Sequence, residues 1–398
     1  MALRSSPLVM PVTAAVGGVT LKTKAAVLWG AHEDWQIEEV EQDDPIAGEV
    51  RVKLTASGLC HSDEHVRMGD IIPMEPGGFP FIGGHEGAGV VEMVGPGVTS
   101  LAVGDHVVLG FIPACGRCPS CSAGHSNLCD NGATLITGQM ISDGGFRSRV
   151  KGKDAGTMCL LGTFSPYVVV HESSAIKIED DIPLDKAALV GCGVTTGWGS
   201  AVYSAEVKAG ETVVVIGIGG VGINAVQGAA MAGAQRVIAI DPVEFKREQA
   251  MAFGATHTFS SMAEALAPIT ELTWGRGAEK AIITVGRIEG SMIGEMMALI
   301  GKNGTAVVTG MGDMMQSEVT LSLFELSMLQ KRLQGSIFGG ANPRVDIPRL
   351  LGLYRDGQLK LDELITQTYK LEDINQGYAD MNAGKNIRGV IMYSEEDY

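Results

Sequence analysis

The hydrophobic pattern of the first half of the chain predicts a mainly β domain. From Lys24 to about residue 171, short apolar runs alternate with Gly and Pro, and this rhythm is typical of strands joined by turns. The runs predicted as strands are Ala25–Trp29, Val50–Ser57, Gly89–Val94, His106–Leu109 and Tyr167–His171.

From Thr212 onward the pattern changes to β-branched runs alternating with helical stretches. The predicted strands are Thr212–Ile216, Val237–Ile240, His257–Phe259, Ala281–Val285, Thr305–Thr309 and Leu333–Ile337. This alternation predicts a doubly wound parallel sheet, so the fold class is α/β. Beyond Phe338 we expect two amphipathic helices, Ile347–Tyr354 and Glu372–Met381, then a strand Gly389–Tyr393 and a solvated acidic tail over 394–397.

Composition narrows the class of protein. A chain of 398 residues is long enough for two domains, and 45% hydrophobic with 19% charged residues exclude a disordered or fibrous protein. The net charge of −16 argues against nucleic acid and anionic membrane partners. Two uncharged runs, 187–205 and 212–235, are rich in Gly, which favours buried strand, turn and helix over a membrane span. Pro and Gly interrupt the first 20 residues, favouring a loose arm over a signal peptide.

A glycine-rich turn indicates a dinucleotide site. The strand Thr212–Ile216 leads into a GxGxxG motif that contains Gly217, Gly219, Gly220, Val221 and Gly222. Such a turn lets a pyrophosphate approach the backbone at a helix N-terminus. Nineteen residues after Gly222, Asp241 ends the next predicted strand, where a carboxylate accepts hydrogen bonds from ribose hydroxyls and repels a 2′-phosphate. The combination favours NAD, while Lys246 and Arg247 leave NADP open. The alternative to a nucleotide site is a plain glycine-rich turn followed by a helix-capping Asp.

Four of the seven cysteines form a compact metal motif. Cys115, Cys118, Cys121 and Cys129 follow the spacing CxxCxxCx7C, so four thiolates can enclose one zinc ion and leave no open position. We interpret this as a structural zinc site in a reducing, cytoplasmic setting. A zinc module that binds nucleic acid would carry more basic residues among its ligands. Only Arg117 is basic between residues 113 and 130, which argues against such a module. An iron–sulfur cluster is a lesser alternative.

A second set of candidate ligands is spread along the chain. Cys60 opens the segment Cys60-His61-Ser62-Asp63-Glu64-His65, and His85 follows in Gly84-His85-Glu86-Gly87. Two thiolates and one imidazole from separate segments can bind a zinc ion that keeps a fourth position open, as catalytic zinc does. Either Asp63 or Glu86 could supply the carboxylate that orients the imidazole of the ligand histidine. Cys159 is interpreted as an inert buried thiol.

These residues together resemble the zinc-containing medium-chain alcohol dehydrogenase family. The matching blocks, in order from about Lys22 to Tyr393, are Lys24-Ala25-Ala26-Val27-Leu28-Trp29, Gly84-His85-Glu86-Gly87-Ala88-Gly89, Val103-Gly104-Asp105-His106-Val107, Gly191-Cys192-Gly193-Val194-Thr195-Thr196-Gly197 and Ile337-Phe338-Gly339-Gly340. The resemblance implies a GroES-like, mainly β catalytic domain with a Rossmann domain inserted. The implied division is an extension over 1–21, the catalytic domain over 22–193 and 338–398, and the NAD-binding domain over 194–337.

The resemblance also assigns roles to single residues. It implies that Cys60, His85 and Cys192 bind a catalytic zinc, with Glu86 beside the metal and Asp63 supporting His85. A proton relay would run through Ser62 and His65. On the cofactor side it implies that Thr196 and Val221 line the nicotinamide, Lys246 lies near the adenosine ribose and Arg388 reaches the pyrophosphate. His61 stands where many members carry an Arg on the pyrophosphate.

The implied reaction is reversible oxidation of an alcohol to an aldehyde or ketone, with two zinc ions per chain, NAD as hydride acceptor and a homo-oligomeric enzyme. A formaldehyde dehydrogenase acting on a thiol adduct is an alternative, although Asn131-Gly132-Ala133-Thr134 lacks the anion-binding Arg of that group. A zinc-bearing nucleotide sensor without turnover is the alternative from another class. The long segment Met68–Phe81, which should border the substrate pocket, and Leu160–Tyr167 resemble actinobacterial nitroso-aniline-dependent enzymes, which retain NAD tightly and use a mycofactocin-type electron acceptor.

Overall fold

A computed structural model describes residues 20–398 of the chain. The expected N-terminal extension over 1–21, with its signal-peptide alternative, lies outside the described residues except for Thr20 and Leu21, and Leu21 begins the first strand.

The described chain contains eighteen strands and eleven α-helices. The strands are β1 (Leu21–Leu28), β2 (Gln36–Gln42), β3 (Glu49–Gly58), β4 (Phe81–Ile82), β5 (Gly87–Val94), β6 (His106–Leu109), β7 (Ser148–Val150), β8 (Lys153–Thr157), β9 (Tyr167–His171), β10 (Ala175–Lys177), β11 (Thr212–Ile216), β12 (Arg236–Ile240), β13 (His257–Phe259), β14 (Ala278–Ile283), β15 (Ile300–Val308), β16 (Arg332–Gly335), β17 (Ile365–Tyr369) and β18 (Arg388–Met392). The helices are α1 (His61–Arg67), α2 (Pro119–Ser122), α3 (Leu184–Val190), α4 (Gly193–Gly199), α5 (Gly222–Met231), α6 (Glu244–Ala252), α7 (Met262–Leu272), α8 (Gly290–Leu299), α9 (Leu323–Met328), α10 (Pro343–Arg355) and α11 (Ile374–Asn382).

The β-rich part combines a closed barrel with an open sheet. The barrel order is β1-β2-β7-β8-β4, and the neighbouring sheet runs β10-β6-β5-β3-β18-β17, with β9 also paired to β3. Strand β18 from the C-terminal end pairs antiparallel with β3, so both ends of the chain build one sheet. The sequence pattern missed β2, because its sequence QIEEVEQ carries three acidic residues that are exposed or half-buried. Pairing with β1 holds this strand in place.

The other part is a six-stranded parallel sheet in the order β13-β12-β11-β14-β15-β16. The central strand β11 is buried along its whole length, because it pairs on both edges and is covered on both faces. The carboxyl ends of β11 and β14 meet where the order reverses, the position at which such sheets bind ligands. The predicted doubly wound sheet is therefore present, with β15 starting earlier than expected, at Ile300.

The C-terminal tail differs from the expectation of a solvated segment. Ser394, Glu395 and Glu396 are exposed, but an Asp397 carboxylate oxygen lies 2.7 Å from the Lys24 Nζ. The Tyr398 hydroxyl donates a hydrogen bond of 2.6 Å to the Leu54 carbonyl. The tail was predicted from its charge alone, which could not show that β1 and β3 offer partners for its last two side chains.

No helix within residues 20–398 has the length and apolar character needed to cross a bilayer. The uncharged run 212–235 folds as predicted, since it contains β11, the glycine-rich turn and α5. The run 187–205 contains no strand and lies in α3, α4 and the π-helical turn that continues α4.

Candidate active site

Four buried side chains from three parts of the chain converge at the base of a cleft. Cys60 immediately precedes α1, His85 and Glu86 precede β5, and Cys192 lies between α3 and α4. One potential ligand atom from each residue lies within 4.8 Å of all the others, which is close enough to surround one metal ion. The structure therefore brings together the three residues predicted to hold zinc, and Glu86, which the resemblance implied beside the metal, lies at the same point.

Asp63 orients the histidine of this group. One Asp63 carboxylate oxygen lies 3.0 Å from Nδ1 of His85, and the other accepts a hydrogen bond of 2.7 Å from the Gly84 amide. Of the two carboxylates that the sequence left open for this role, Asp63 is thus the one beside the imidazole. With Nδ1 turned to Asp63, His85 has Nε2 left for a metal.

The two thiols of this group are coupled, and their pKa values shift in opposite directions. The pKa of Cys60 lies well below its usual range, first because the Cys192 thiol donates to its sulfur and then because His85 and Arg388 are positively charged neighbours, although burial opposes the shift. The pKa of Cys192 lies well above its usual range, because it hydrogen-bonds to the Cys60 sulfur and is buried. The two sulfurs therefore share one proton, which a metal ion would displace.

Glu86 is paired with a residue from the far end of the chain. Its carboxylate is in hydrogen-bond contact with the buried Arg388 guanidinium and accepts from the Gly193 amide at 3.3 Å. Burial raises the pKa of Glu86 to about 7, and the charge of Arg388 opposes this rise. Arg388 also donates to the Leu59 carbonyl at 3.0 Å. It is therefore fixed beside the metal ligands by hydrogen bonds to two other segments of the chain.

Helix α1 carries the predicted relay residues. The Ser62 hydroxyl oxygen lies 3.7 Å from the Cys60 sulfur. His65 is buried, and the His61 and His65 rings lie 5.4 Å apart between centroids. Burial, followed by the charge of His65, lowers the pKa of His61 below its ordinary value. Both Ser62 and His65 line the cavity that contains the Cys60 thiol.

The glycine-rich turn has the geometry that the motif predicts. Gly217 has φ of +86°, and a Cβ on Gly222 would lie 1.8 Å from the Gly217 carbonyl oxygen. In contrast, a Cβ on Gly219 would meet nothing within 4 Å. Asp241 closes the turn, because its two carboxylate oxygens accept from the Ile218 amide at 2.7 Å and the Val243 amide at 2.9 Å. The turn is thus held rigid around an open space.

That open space belongs to a cavity of about 520 Å³ at the carboxyl ends of the parallel strands. Its lining includes the predicted cofactor residues His61, Gly217, Gly219, Gly220, Val221, Asp241, Lys246 and Arg388. The Nε of Arg388 is buried without a hydrogen-bond partner, and so is the hydroxyl of Thr196 in the adjoining cavity. Unpartnered buried polar atoms on the walls of a cleft indicate that a polar ligand satisfies them.

A second cavity, of about 490 Å³, is lined by the metal group through Cys60, His85 and Cys192. Both cavities share the residues Cys60, His61, Val221, Thr284, Val285 and Gly286, so they form one continuous cleft. As predicted, the long segment 68–81 borders the second cavity, through Ile71, Pro73 and Phe81. Cys159 also lines it, and burial raises the pKa of that thiol to about 12.

Several residues of this cleft could not be predicted from the sequence. Asp70 contacts His65, and the Gly286 carbonyl contacts the same ring from the parallel sheet. Met311 and Met314 reach the cavity from the segment after β15. None of these positions belongs to a recognisable motif, and a residue between two motifs or beyond a strand end becomes visible as part of a site only when the chain is folded.

The four remaining predicted ligands form a separate cluster around α2. The sulfurs of Cys115, Cys118, Cys121 and Cys129 all lie within 4.8 Å of one another. Backbone amides of residues 118 and 121 donate to the Cys115 and Cys118 sulfurs at 3.3 and 3.4 Å, respectively. Burial alone would raise the pKa of Cys115, but amide donors lower it to about 7. These donors favour thiolates, the form that binds zinc.

Comparison with known proteins gives consistent matches along the described chain. A family model for the alcohol dehydrogenase GroES-like domain matches residues 46–180, and one for zinc-binding dehydrogenases matches residues 220–355. The chain is 53% identical over 377 residues to alcohol dehydrogenase B of Mycobacterium tuberculosis, covering 95% of this chain and 100% of that protein. It is 54% identical over 376 residues to the NDMA-dependent alcohol dehydrogenase of Amycolatopsis methanolica, covering 94% and 100%. Among solved structures, benzyl alcohol dehydrogenase from Acinetobacter calcoaceticus superposes with a TM-score of 0.86 at 28% identity, over 94% of this chain and 100% of that one.

Proposed function

Because the chain belongs to the zinc-containing medium-chain alcohol dehydrogenase family, we propose that it transfers hydride reversibly between an alcohol and a bound nicotinamide, giving an aldehyde or ketone. The observation that carries this proposal is a continuous cleft. Cys60 lines both the cavity at the glycine-rich turn and a largely apolar cavity, and the latter also contains the candidate ligands His85 and Cys192. A nucleotide sensor without turnover would have no need of the second cavity.

The donor atoms fit zinc at both metal groups. Two thiols and one imidazole make the first site, where three protein ligands leave a position open, and Glu86 lies beside it. Four thiols make the second site, which has no open position and therefore suits a structural role. We assign one zinc ion to each group, giving two per chain.

The cofactor cavity fits a dinucleotide. The space beside Gly219 and the unpartnered Nε of Arg388 suit a pyrophosphate, and the unpartnered Thr196 hydroxyl lies where the resemblance places the nicotinamide. Asp241 favours NAD over NADP, because a 2′-phosphate would bring a second negative charge to a carboxylate that is only 5% exposed. Lys246 lines the same cavity and is assigned to the adenosine ribose.

When bound, zinc supplies Lewis acidity toward the alcohol oxygen and the nicotinamide supplies a hydride acceptor. The residues of this chain hold the metal, move the proton and exclude water. Cys60, His85 and Cys192 hold the metal, and Asp63 fixes the His85 ring. The Ser62 hydroxyl beside the Cys60 sulfur takes up the proton of the alcohol as it releases its own, and that proton passes on along the cleft to His65. Apolar walls exclude water from the reacting atoms.

We propose an apolar alcohol as the substrate class. The second cavity is lined mainly by Val66, Ile71, Phe81, Phe111, Leu135, Met158, Met311 and Phe338. Within the described residues, no lysine or arginine lines it. A thiol adduct carrying carboxylates would find no cationic partner there, so the formaldehyde dehydrogenase alternative is not favoured.

Two further proposals concern the holoenzyme. The relatives include an NDMA-dependent enzyme, which supports assignment to the subgroup that retains NAD and passes electrons to a mycofactocin-type acceptor. Homo-oligomerisation is supported by Met315, Leu323 and Phe324, which are 82%, 73% and 76% exposed next to the open edge of β16. A second copy of the chain would cover this face.

The division into domains follows the same reasoning. We assign 22–193 and 338–398 to the catalytic domain and 194–337 to the NAD-binding domain. The pairing of β18 with β3 supports this assignment, as does the restriction of the parallel sheet to strands between residues 212 and 335.

The decisive experiment is to denature the washed, purified protein and to measure nicotinamide and zinc in the supernatant. One NAD and two zinc ions per chain would support the complete proposal. A protein that lacks nucleotide but turns over alcohol with added NAD would remove the retained-cofactor part only. If the protein binds both NAD and zinc but no alcohol reduces the bound nicotinamide, the result would favour the alternative of a nucleotide sensor without turnover.

A further inference from the structure

Three contacts join the two sides of the cleft near the C-terminal end of α1. Nε2 of His65 lies 2.7 Å from the Gly286 carbonyl oxygen, on the loop that follows β14. An Asp70 carboxylate oxygen lies 3.1 Å from the Arg287 guanidinium, and the Asp70 backbone carbonyl accepts a hydrogen bond of 3.1 Å from the Met314 amide. Asp70 is therefore bound through both its side chain and its backbone to the loops that follow β14 and β15.

Asp70 is anchored on the side of the cleft that is assigned to the catalytic domain. It lies shortly beyond the end of α1, and the next amide, that of Ile71, donates a hydrogen bond of 3.1 Å to the His65 carbonyl of this helix. Further along the same segment, the Met74 amide donates to the Ile136 carbonyl at 3.2 Å. The segment that carries Asp70 is therefore fixed to the catalytic part of the molecule at two points.

The opposite side of the cleft is also held together internally. The Ile288 amide, next to Arg287, donates to the Met311 carbonyl at 2.9 Å, which joins the loop after β14 to the loop after β15. These loops are closely packed, since a Cβ on Gly310 would lie 2.7 Å from the Val285 carbonyl oxygen. The ion pair thus connects two parts of the molecule that are each internally fixed.

A dinucleotide in this cleft is enclosed by both parts. The cavity of about 520 Å³ has Cys60 and His61 on its catalytic side and Val285 and Gly286 on the side of the parallel sheet. Gly286 packs so closely against the His61 ring that a Cβ would lie 2.7 Å from its Nε2. A dinucleotide that reaches from this cavity into the adjoining one passes between these walls, so its release requires the loop after β14 to separate from α1. That separation also breaks the contacts of Asp70.

We propose that the ion pair between Asp70 and Arg287 is a latch that holds the cleft closed and sets the rate at which NAD leaves. The inference rests on the proposed binding of NAD in this cleft and gives the retained cofactor a structural cause. Arg287 is absent from the described residues that line the two cavities, so the pair acts on the closed state of the cleft and not on the nucleotide itself. The Arg287 side chain is 55% exposed and the Asp70 side chain 10%, so water screens the pair in part.

The test is exchange of the bound nucleotide for isotopically labelled NAD in the purified holoenzyme, followed by mass spectrometry of the nucleotide released on denaturation. Arg287→Gln should raise the exchange rate by about fivefold, the upper end for an ion pair with one exposed member. Arg287→Lys should keep most of the slow exchange, because it retains the positive charge. Single-turnover reduction of the bound nicotinamide by an alcohol should be unchanged in both variants, since Arg287 lines neither cavity.

Asp313→Asn is the matched control. Asp313 lies 3.7 Å from the same guanidinium, but Arg287 follows β14 and Asp313 follows β15, so this pair stays within the parallel-sheet part and does not cross the cleft. Its removal should leave the exchange rate unchanged. Asp70→Asn should raise the rate about as much as Arg287→Gln, and the double variant should be no faster than either, because both substitutions break the same contact.

An exchange rate that is unchanged in Arg287→Gln, or that is raised equally by Asp313→Asn, would overturn the inference. Its failure can be told apart from failure of the proposed function. If the washed protein carries no nucleotide, NADH is added and its release is followed by fluorescence, and faster release in Arg287→Gln then supports the latch while the retained-cofactor proposal fails. If the nucleotide exchanges but no alcohol reduces it, the proposed hydride transfer fails and the exchange rates alone decide the latch.

Discussion

The Arg388 guanidinium lies between the Glu86 carboxylate and the glycine-rich turn, where a Cβ on Gly220 would come within 2.3 Å of the Arg388 Cδ. One buried side chain thus contacts the neighbour of a metal ligand and the backbone of the dinucleotide site. Its position explains why the two halves of the cleft cannot rearrange independently around this point.

Replacing Arg388 by Met should strongly destabilise the protein. Removing one partner of a buried ion pair leaves the Glu86 charge uncompensated, at a cost of about 3–5 kcal/mol. Thermal and denaturant unfolding of the zinc-loaded protein measure this effect. The double variant that also carries Glu86→Gln should recover part of the loss. Additive losses would show that the two side chains are not coupled.

Alanine at two neighbouring glycines should separate folding from nucleotide binding. Gly219→Ala places a methyl group in open space, so stability should be unchanged, but the methyl occupies the space assigned to the pyrophosphate and the nicotinamide content should fall. Gly220→Ala displaces Arg388 and should lower both the stability and the nicotinamide content. Melting temperature and nucleotide released on denaturation distinguish the two outcomes. Normal nucleotide content in Gly219→Ala would exclude this turn as the pyrophosphate site.

Each metal group should account for one zinc ion. Cys192→Ser should lower the zinc content from two to one per chain and abolish alcohol oxidation with the fold retained, because the open site loses a ligand. Cys118→Ser should also remove one zinc ion but act chiefly on thermal stability. Cys159→Ser is the control, since its thiol belongs to neither group and zinc content should stay at two. Full activity in Cys192→Ser would refute the assignment of this ligand.

Longer apolar alcohols should be the better substrates. Each methylene group buried against the walls of the second cavity contributes about 0.8 kcal/mol, so kcat/KM should rise by about fourfold per carbon until the cavity is filled. A series of primary alcohols, with benzyl alcohol and a carboxylate-bearing thiol adduct of formaldehyde alongside, tests this. A preference for the adduct would restore the formaldehyde dehydrogenase alternative.

The docking of the tail should depend on pH. The pKa of Asp397 lies below its ordinary value of 3.8, because hydrogen bonds from Lys24 and Ser394 outweigh the effect of burial. A lowered pKa in the folded state means that this contribution is complete above the ordinary value and is lost as the pH falls through the folded value. Asp397→Asn should therefore reduce stability by about 0.5–1 kcal/mol at neutral pH, the range of a partly exposed pair, and by nothing in acid. Melting temperatures of both proteins across pH measure this difference.

Short-range pattern was sufficient for the features built within one stretch of chain. The turn at Gly217–Gly222 and the cluster from Cys115 to Cys129 could be predicted because their residues are close in sequence and the chemistry fixes their spacing. Strand β11 could be predicted because a fully buried strand has a continuous apolar sequence. Strands of the barrel such as β2 could not, since half-exposed edges and long-range pairing leave little local pattern.

The parts of the cleft that join distant segments depended on the folded chain. Asp63 rather than Glu86 stands beside the His85 imidazole, and Glu86 is instead paired with Arg388 from β18. Asp70 becomes part of the site only because Arg287 and Met314 meet it across the cleft. Spacing along a chain indicates only which groups can meet because they are close in sequence. The partners of a buried charge are chosen by packing between distant segments, where low solvent access makes each unpaired group costly.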